Sequence, residues 1–412
     1  MPKPPKKFNT AASKDEDINV HEIDPVTKRT VLHRAVIKGN LDEVKKLLDL
    51  GANPNKLDVS RTAVHLAADK PEIFETLLKY GGDPKRFSTD GLTAFHMAAN
   101  AGNIKTMTMC LKKGMSPNDF SKKDKISVLH EAAAGDDLYA FQFLIENGGR
   151  LDLEDNAGWN IFHHAAKGNA PNIIEFLVEQ DMVTLINKNA KDPDGRTPLH
   201  VALAFHNIES ARSLLEAGAS PNIKDSDGWM PIHCVINRDN LPALELLMEY
   251  GSDLNKALTN SNQTPLFRSV REQNYKIMVY LLENGANPNI PSVTGETPLH
   301  LIGKTFNTDI AEKLIENGAE INAQRDNGQT PLHYAASHNR RDLVQLFLEK
   351  GADPTIKDNK GRYAHQIAQA PYQQFIFRIL TDAVEKAEKE KKQDENKKPW
   401  HGRQGPPPWK KK

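Results

Sequence analysis

Residues 330–362 read TPLHYAASHNRRDLVQLFLEKGADPTIKDNKGR, and the first four letters of this 33-residue stretch return throughout the chain. Counterparts of the tetrapeptide begin at ten positions, spaced by about 33 residues, a period typical of repeat architectures. The ten first residues are Thr30, Thr62, Thr93, Ser127, Asn160, Thr197, Met230, Thr264, Thr297 and Thr330. In eight units a glycine lies 18 residues after the fourth letter: Gly51, Gly114, Gly148, Gly218, Gly251, Gly285, Gly318 and Gly351. Two markers in one phase indicate an array of repeated units.

The residue types within each unit predict two helices and a turn. Thr330 can cap a helix through its side-chain oxygen, and Pro331 suits the first helical turn. A second apolar run has the i, i+3, i+4 spacing of a helix with one buried stripe, as in Val344, Phe347 and Leu348. Gly351 then fits a left-handed position at the helix end. Asn, Asp and Gly follow where a turn needs positive φ.

From about residue 24 to residue 383 the chain resembles the ankyrin-repeat family, whose unit is a β-turn followed by two antiparallel helices with a Thr-Pro-Leu-His signature. The resemblance implies an all-α solenoid of stacked helix-turn-helix units with β-turn tips. An eleventh unit begins near Asp358, but the residues from Tyr363 to Gln366 replace its signature. This departure is typical of an atypical terminal cap.

Three units depart from the pattern. The second has a connection shorter by two residues between His65 and Gly81. In the fifth, Asp181 stands at the glycine position, and about four extra residues within 182–193 predict an exposed loop or a break in the superhelix. In the eighth, Phe267 replaces the signature histidine, so we expect a polar anchor to be lost there.

The two ends differ in composition from the array. Residues 1–20 are polar and lysine-rich, which predicts a disordered segment, and the array is assigned to residues 21–382. Residues 383–412 are predicted to form a charged helix extension and a disordered tail rich in Lys, Pro and Trp. Phe375, Ile379 and Leu380 are expected to cover the last repeat.

The composition excludes several classes of protein. Lys plus Arg and Asp plus Glu each number 54, so no global charge points to nucleic acid or to an acidic membrane. No apolar run is long enough to span a membrane, and the first residues lack a secretory signal. Cys110 and Cys234 lie far apart without metal-ligand spacing, which indicates a reducing setting. We expect a cytoplasmic protein, with a nuclear location through the basic tail as the alternative.

No arrangement of residues predicts catalysis, a metal site or a cofactor. Nine of the 15 histidines are signature residues, and we expect each imidazole to tie its turn to its helix start by hydrogen bonds. His130 and Glu131 begin a zincin-like motif, but Ala134 stands where the second ligand is needed. The residues before Gly303 cannot form a phosphate loop. We therefore predict a noncatalytic protein.

Stacking leaves two rows of residues facing the concave side: the tip row, just before each tetrapeptide, and the helix row, just after it. Trp and Arg are enriched in binding hot spots, and the tip row holds two tryptophans with an arginine between them. We predict a partner groove formed by Trp159, His164, Arg196, Val201, Trp229 and Cys234. Alternatively, each tryptophan packs on its own turn or on the adjacent hairpin. Leu92 and Ile126 are a weaker candidate for extending the groove.

The function expected from these features is a protein-interaction scaffold or adaptor that binds partners through the concave face. The resemblance implies partners such as kinases or cytoskeletal and trafficking proteins, and it implies hydroxylation of loop asparagines such as Asn222, Asn289 and Asn322. The alternative is a regulatory or inhibitory subunit of an enzyme or transcription factor. Nucleic-acid binding through the tail, where Trp400 and Trp409 stand among lysines, is not expected to be specific.

Overall fold

The computed structural model describes residues 19–189, 193–236, 239–303, 307–368 and 373–397. Within these ranges the chain forms 22 α-helices and one 3-10 helix, and no β-strand. The chain divides into two compact units, residues 1–225 and 226–412. The predicted all-α fold of repeated helix-turn-helix units is confirmed.

The first unit contains six helix pairs. In chain order they are α1 (Val31–Lys38) and α2 (Leu41–Asp49), α3 (Ala63–Leu66) and α4 (Pro71–Lys79), α5 (Ala94–Asn100) and α6 (Ile104–Lys112), α7 (Val128–Ala134) and α8 (Leu138–Glu146), α9 (Ile161–Gly168) and α10 (Pro171–Glu179), the 3-10 helix η1 (Met182–Leu185), and α11 (Pro198–Ala204) and α12 (Ile208–Glu216).

The second unit contains five pairs. They are α13 (Pro231–Ile236) and α14 (Leu241–Glu249), α15 (Pro265–Arg271) and α16 (Tyr275–Glu283), α17 (Pro298–Ile302) and α18 (Thr308–Glu316), α19 (Pro331–Ser337) and α20 (Arg341–Glu349), and α21 (Ala364–Ile367) and α22 (Gln374–Lys397). Odd-numbered helices are the first helices of their repeats, and even-numbered helices are the second helices.

The helices begin where the residue pattern predicts. Thr330 is extended, its hydroxyl accepts a hydrogen bond from the backbone of His333, and Pro331 occupies the first turn of α19. Gly351 has the left-handed φ of +94° that the chain needs after α20. Asp181 adopts the same conformation at φ +59° in place of glycine. The pattern of caps and glycines thus fixes the ends of the helices.

Small residues allow neighbouring first helices to approach closely. A Cβ added to Gly168 at the end of α9 would collide with the backbone of Ala134 at the end of α7. Phenylalanines fill the layer between the helices, and Phe95, Phe141 and Phe162 are fully buried. The core of each unit is therefore a row of repeated layers, as the apolar stripes predict.

The terminal helix caps the last repeat with a stripe that differs in part from the one expected, since Leu380 is buried as predicted but Phe375 is not. Ile376 and Leu380 are fully buried, whereas Phe375 is 43% exposed and Ile379 is half-buried. The prediction that Phe375 covers the last repeat is wrong because the buried i, i+4 stripe starts one residue later. The guanidinium of Arg341 lies 3.5 Å from the centre of the Phe375 ring instead.

Several predictions fall partly or wholly outside the described residues. They are the N-terminal segment up to residue 18, the middle of the fifth-repeat insertion at 190–192, and the tail from residue 398, which includes Trp400 and Trp409. The start of the insertion forms η1. Helix α22 continues across the expected domain boundary between residues 382 and 383.

Candidate functional site

The signature histidines are buried parts of the framework. In the third repeat, the Nδ1 atom of His96 accepts a hydrogen bond from the backbone N–H of Thr93 at 3.2 Å, and the Thr93 hydroxyl lies 2.8 Å from it. The Nε2 atom of His96 lies 3.0 Å from the carbonyl oxygen of Ile126 in the next repeat. Burial lowers the pKa of His96 to about 4. The ring is therefore neutral at pH 7, with its proton on Nε2.

The same link to the next repeat recurs along both units. The carbonyl acceptor is a tip-row residue in six cases: Arg61 for His33, Leu92 for His65, Ile126 for His96, Arg196 for His163, Gln329 for His300 and Arg362 for His333. In the eighth repeat, the Thr264 hydroxyl still accepts the backbone N–H of Phe267 at 3.1 Å. The phenyl ring has no N–H group, so it cannot donate a hydrogen bond to the next tip. The histidines thus hold the tip row in place.

A groove lies on the first-helix side of the first unit. Its cavity of about 420 Å³ is lined by Ile37, Arg61, His65, Leu66, Ala68, Asp69, Lys70, Leu92, Met97, Asn100, Ala101 and Glu131. Arg61 and Leu92 belong to the tip row, and Leu66, Met97 and Glu131 belong to the helix row. The structure therefore brings members of both predicted rows together in the second to fourth repeats.

One carboxyl group of this groove has an altered pKa. Burial raises the pKa of Glu131 above its ordinary value, although the nearby His164 and Lys167 oppose the shift. The amide of Asn100 donates to the backbone carbonyl of Glu131 at 3.2 Å and joins two neighbouring first helices at the groove floor. The Glu131 carboxyl group is placed at the groove floor, where it can form a hydrogen bond with a bound chain.

Trp159 packs against its own repeat. Its ring stacks on His163 at 5.6 Å between centroids and meets the edge of His164 at 5.7 Å. The residue is half-buried, so part of its ring still faces solvent. These contacts are with the helix that follows the tip, and both the groove centred on Trp159 and its alternative, packing on its own turn or on the adjacent hairpin, stay predictions.

Beneath this tryptophan lies a buried polar cluster. His164 is only 4% exposed, its Nε2 atom lies 3.1 Å from Oδ2 of Asp155, and its ring stacks on His130 at 4.4 Å. Burial raises the pKa of the Asp155 carboxyl, but hydrogen bonds from His164 and from the Trp159 backbone outweigh burial and lower it overall. Because its side chain is buried, His164 cannot contact a partner directly. It can act only through the position of Trp159, which packs against it.

The other predicted groove residues of the first unit differ in exposure. Arg196 is half-buried and pairs with Asp194 at 3.1 Å, while its carbonyl accepts the hydrogen bond from His163 at 2.9 Å. Val201 is 1% exposed and packs inside the array. Of these two, Arg196 alone presents a side chain to solvent.

In the second unit, Trp229 is covered by a residue that the sequence did not single out. The guanidinium of Arg268 lies 4.4 Å from the centre of the Trp229 ring, and Arg268 is buried. Burial lowers the pKa of Arg268, and Arg271 lowers it further. Cys234 is half-buried. The helix row includes Arg268, so an arginine one repeat after a tip tryptophan was the available signal.

Among the described residues, no group of three or more His, Cys, Asp or Glu side chains is arranged to hold a metal ion. In the same part of the chain no helix is both long and apolar enough to cross a bilayer.

Comparison with known proteins agrees with the geometry. The profile of the family described as "Ankyrin repeats (3 copies)" matches residues 9–88, 69–155, 129–225, 217–292 and 287–358. The chain belongs to the ankyrin-repeat family. Ankyrin repeats are protein-interaction modules, so the array indicates protein partners.

Curated relatives match the ankyrin array over part of its length. SH3 and multiple ankyrin repeat domains protein 2 of Homo sapiens is 29% identical over 195 residues, which are 46% of this chain and 10% of that protein. The Nuclear factor NF-kappa-B p105 subunit of Gallus gallus is 29% identical over 205 residues, 47% of this chain and 20% of the relative. Inversin of Canis lupus familiaris is 31% identical over 187 residues, which are 44% of this chain and 17% of that protein. The match spans a fifth or less of each of these relatives.

Proposed function

We propose that the chain is a noncatalytic scaffold or adaptor that binds a segment of a partner protein in the first-helix groove of its first unit. The observation that supports this proposal is the cavity of about 420 Å³ between the tips and first helices of the second to fourth repeats. Pockets that combine an apolar floor with a few polar groups are typical binding sites.

The lining of the groove suits a peptide with an apolar side chain. Leu66, Leu92 and Met97 are half-buried and supply an apolar floor. Arg61 is exposed and makes no ion pair with any residue that the structure describes, so its guanidinium is available to a carboxylate of the partner. At the other side Lys70 pairs with Asp69 at 2.7 Å.

The tryptophan surfaces are further candidate contacts, each within its own unit. In the first unit, His163 stacks against Trp159 and forms a hydrogen bond with the backbone carbonyl of Arg196. Trp229 lies against Arg268 in the second unit. We propose kinases or cytoskeletal and trafficking proteins as partner classes, and the cytoplasm as the site of action.

Affinity purification followed by mass spectrometry tests the groove. The full chain is compared with a Leu66→Ala/Met97→Ala variant and with Tyr139→Ala, a change at a largely exposed residue of α8 outside the groove. We expect partners to be lost only from the groove variant, with both variants folded by circular dichroism. Retention of every partner by a folded groove variant would overturn the proposal, and a Trp159→Ala/Trp229→Ala variant then locates the contact.

A regulatory or inhibitory subunit is the second candidate function. It is supported by the similarity to the p105 subunit of Nuclear factor NF-kappa-B. The two functions are separated by adding the purified chain to its captured partner. A stoichiometric fall in the partner's own activity favours the regulatory subunit, and unchanged activity favours the scaffold.

A further inference from the structure

One second helix differs in charge from all the others described. Helix α6 carries Lys105 and Lys112 and no carboxylate, and Lys113 follows directly at its end. Every other even-numbered helix carries at least one Asp or Glu, and none of them has a net positive charge. The surface of α6 is therefore a local positive patch in a chain of zero net charge.

A cavity adjoins this patch. It lies between α4 and α6, has a volume of about 710 Å³, and presents Leu78 and Met109 as its apolar part. Four lysines line it: Lys79, Lys105, Lys112 and Lys113. Its helices are second helices, so it is distinct from the first-helix groove of the proposed function.

Most of these ammonium groups have no carboxylate partner. Lys79 pairs with Glu75 at 2.8 Å. Lys105, Lys112 and Lys113 make no ion pair within the described ranges. Lys112 and Lys113 stand at the C-terminal end of α6, where the helix dipole favours positive charge. The positive end of the cavity is thus compatible with helix stability while its charges stay available.

A neighbouring loop adds another lysine. The Nζ atom of Lys85, which follows α4, lies 3.9 Å from the position that a Cβ atom would take on Gly114. Gly114 directly follows Lys113, so the Lys85 ammonium lies near the C-terminal end of α6, where Lys112 and Lys113 line the cavity. Glu72 and Glu75 line the α4 side, which gives the surface opposite charges on its two walls.

We propose that this second-helix cavity binds an acidic segment of a partner protein. Carboxylates of the segment pair with Lys105, Lys112 and Lys113, and an aliphatic side chain lies between Leu78 and Met109. Glu72 and Glu75 on the α4 side disfavour a ligand that is anionic along its whole length, such as a phosphate backbone, whereas a peptide can keep its carboxylates on the α6 side. No aromatic residue lines the cavity for base stacking. A peptide with grouped carboxylates and an apolar residue therefore matches the lysines of the α6 side and the apolar part of the cavity.

Fluorescence anisotropy with the full chain tests this site. The probe is a labelled amphipathic Glu/Leu peptide of about 15 residues, a length at which an isolated helix is marginal, with a Lys/Leu peptide as its charge-reversed counterpart. The variant is Lys105→Glu/Lys112→Glu/Lys113→Glu. The matched control is Lys122→Glu/Lys123→Glu/Lys125→Glu, which makes the same charge change at exposed residues of a turn in the same unit.

We expect the Glu/Leu peptide to bind the wild-type chain and the turn control alike, and the α6 variant at least about tenfold more weakly, with binding that weakens as salt is added. Both variants should keep the wild-type circular dichroism spectrum. The Leu66→Ala/Met97→Ala variant should bind the peptide normally, which separates this site from the first-helix groove.

Three results would overturn the proposal. They are no binding of the Glu/Leu peptide to the wild-type chain, equal losses in the α6 variant and the turn control, and equal binding of the Lys/Leu peptide. Vesicles containing phosphatidylserine are measured in parallel. Loss of vesicle binding in the α6 variant without peptide binding would assign the patch to a membrane surface instead.

Discussion

The Nε2 atom of His96 donates its proton to the carbonyl oxygen of Ile126, 30 residues further along the chain and one repeat away. Because Nδ1 of the same ring accepts the backbone N–H of Thr93, one buried imidazole joins its own helix start to the next tip. Replacing it by phenylalanine leaves both backbone groups without these partners. We expect His96→Phe to lower the free energy of unfolding by about 1–3 kcal/mol.

Urea unfolding followed by circular dichroism measures this effect. His21→Phe is the matched control, because His21 is exposed and its side chain forms no hydrogen bond with the described residues. The control should change the free energy of unfolding by less than about 0.5 kcal/mol. Equal effects of the two substitutions would show that the bond to Ile126 does not stabilise the array.

The buried histidines predict a loss of stability in mild acid. Burial lowers the pKa of His96 and of His300 to about 4, and that of His130 to about 3, from the ordinary 6.5. Below pH 6.5 these imidazoles therefore bind protons in the unfolded chain but stay neutral in the folded chain. Stability is fully present above pH 6.5 and falls as the pH drops toward 4.

Urea midpoints measured between pH 7.5 and pH 4.5 test the titration. We expect the midpoint to fall steadily below pH 6.5, and the His96→Phe variant to show a shallower dependence because one titrating group is gone. A midpoint that stays constant down to pH 5 would mean that these histidines are protonated in the folded chain.

The buried His164–Asp155 pair should contribute more to the free energy of unfolding than an exposed ion pair does. Asp155 accepts hydrogen bonds from His164 and from the Trp159 backbone in a site where both side chains are almost fully buried. Asp155→Asn should cost about 1–3 kcal/mol of unfolding free energy. Asp152→Asn, which breaks the exposed pair with Arg150, should cost less than about 1 kcal/mol. Thermal melts of both variants check the order of the two effects.

The contact between Trp229 and Arg268 predicts a graded series. The indole face carries the guanidinium at 4.4 Å in a buried position, where a cation–π contact contributes about 1–2 kcal/mol. We expect Trp229→Phe to keep part of the stability and Trp229→Leu to lose more. If Trp229→Leu and Trp229→Phe destabilise the chain equally in urea unfolding, the cation–π attraction does not contribute. The loss of buried packing area then explains the whole effect.

The cap of the last repeat predicts which residues of α22 stabilise the array. Leu380 is fully buried, so Leu380→Ala should cost about 2–5 kcal/mol. Phe375 is 43% exposed and mainly meets Arg341, so Phe375→Ala should cost less than about 2 kcal/mol despite removing a larger side chain. Differential scanning calorimetry ranks the two, and the reverse order would restore the sequence-based assignment of Phe375 to the cap.

Much of the fold could be predicted because its determinants are local. The cap at Thr330, the proline at Pro331 and the left-handed residues at Gly351 and Asp181 all act within a few residues of their own position. The second bond of the six signature histidines that reach a tip-row carbonyl could not be predicted in the same way. Its acceptor lies in another repeat, and a carbonyl group carries no sequence signal.

The two rows that contribute residues to the groove could be predicted from the sequence. Which residues of these rows are exposed could not be predicted. Leu66 and Val201 occupy the same helix-row position, yet Leu66 lines the groove and Val201 is buried. Exposure depends on the size of the side chains in neighbouring repeats, which the row pattern does not contain. The sequence emphasised tryptophan at the tips, whereas the cavity forms beside Leu92, the weaker of its two candidates. The positive charge of α6 was readable from its composition alone.

The phenylalanine in the eighth repeat gives the second unit a seam. Repeat arrays unfold through their nearest-neighbour interfaces, and Phe267 removes from one interface the donor that His300 and His333 supply to theirs. We therefore expect the repeats after this seam to open more readily than those before it. Amide hydrogen exchange should then show a step in protection between α15 and α17, and the unit that lacks its signature histidine would mark a boundary between two cooperatively unfolding segments.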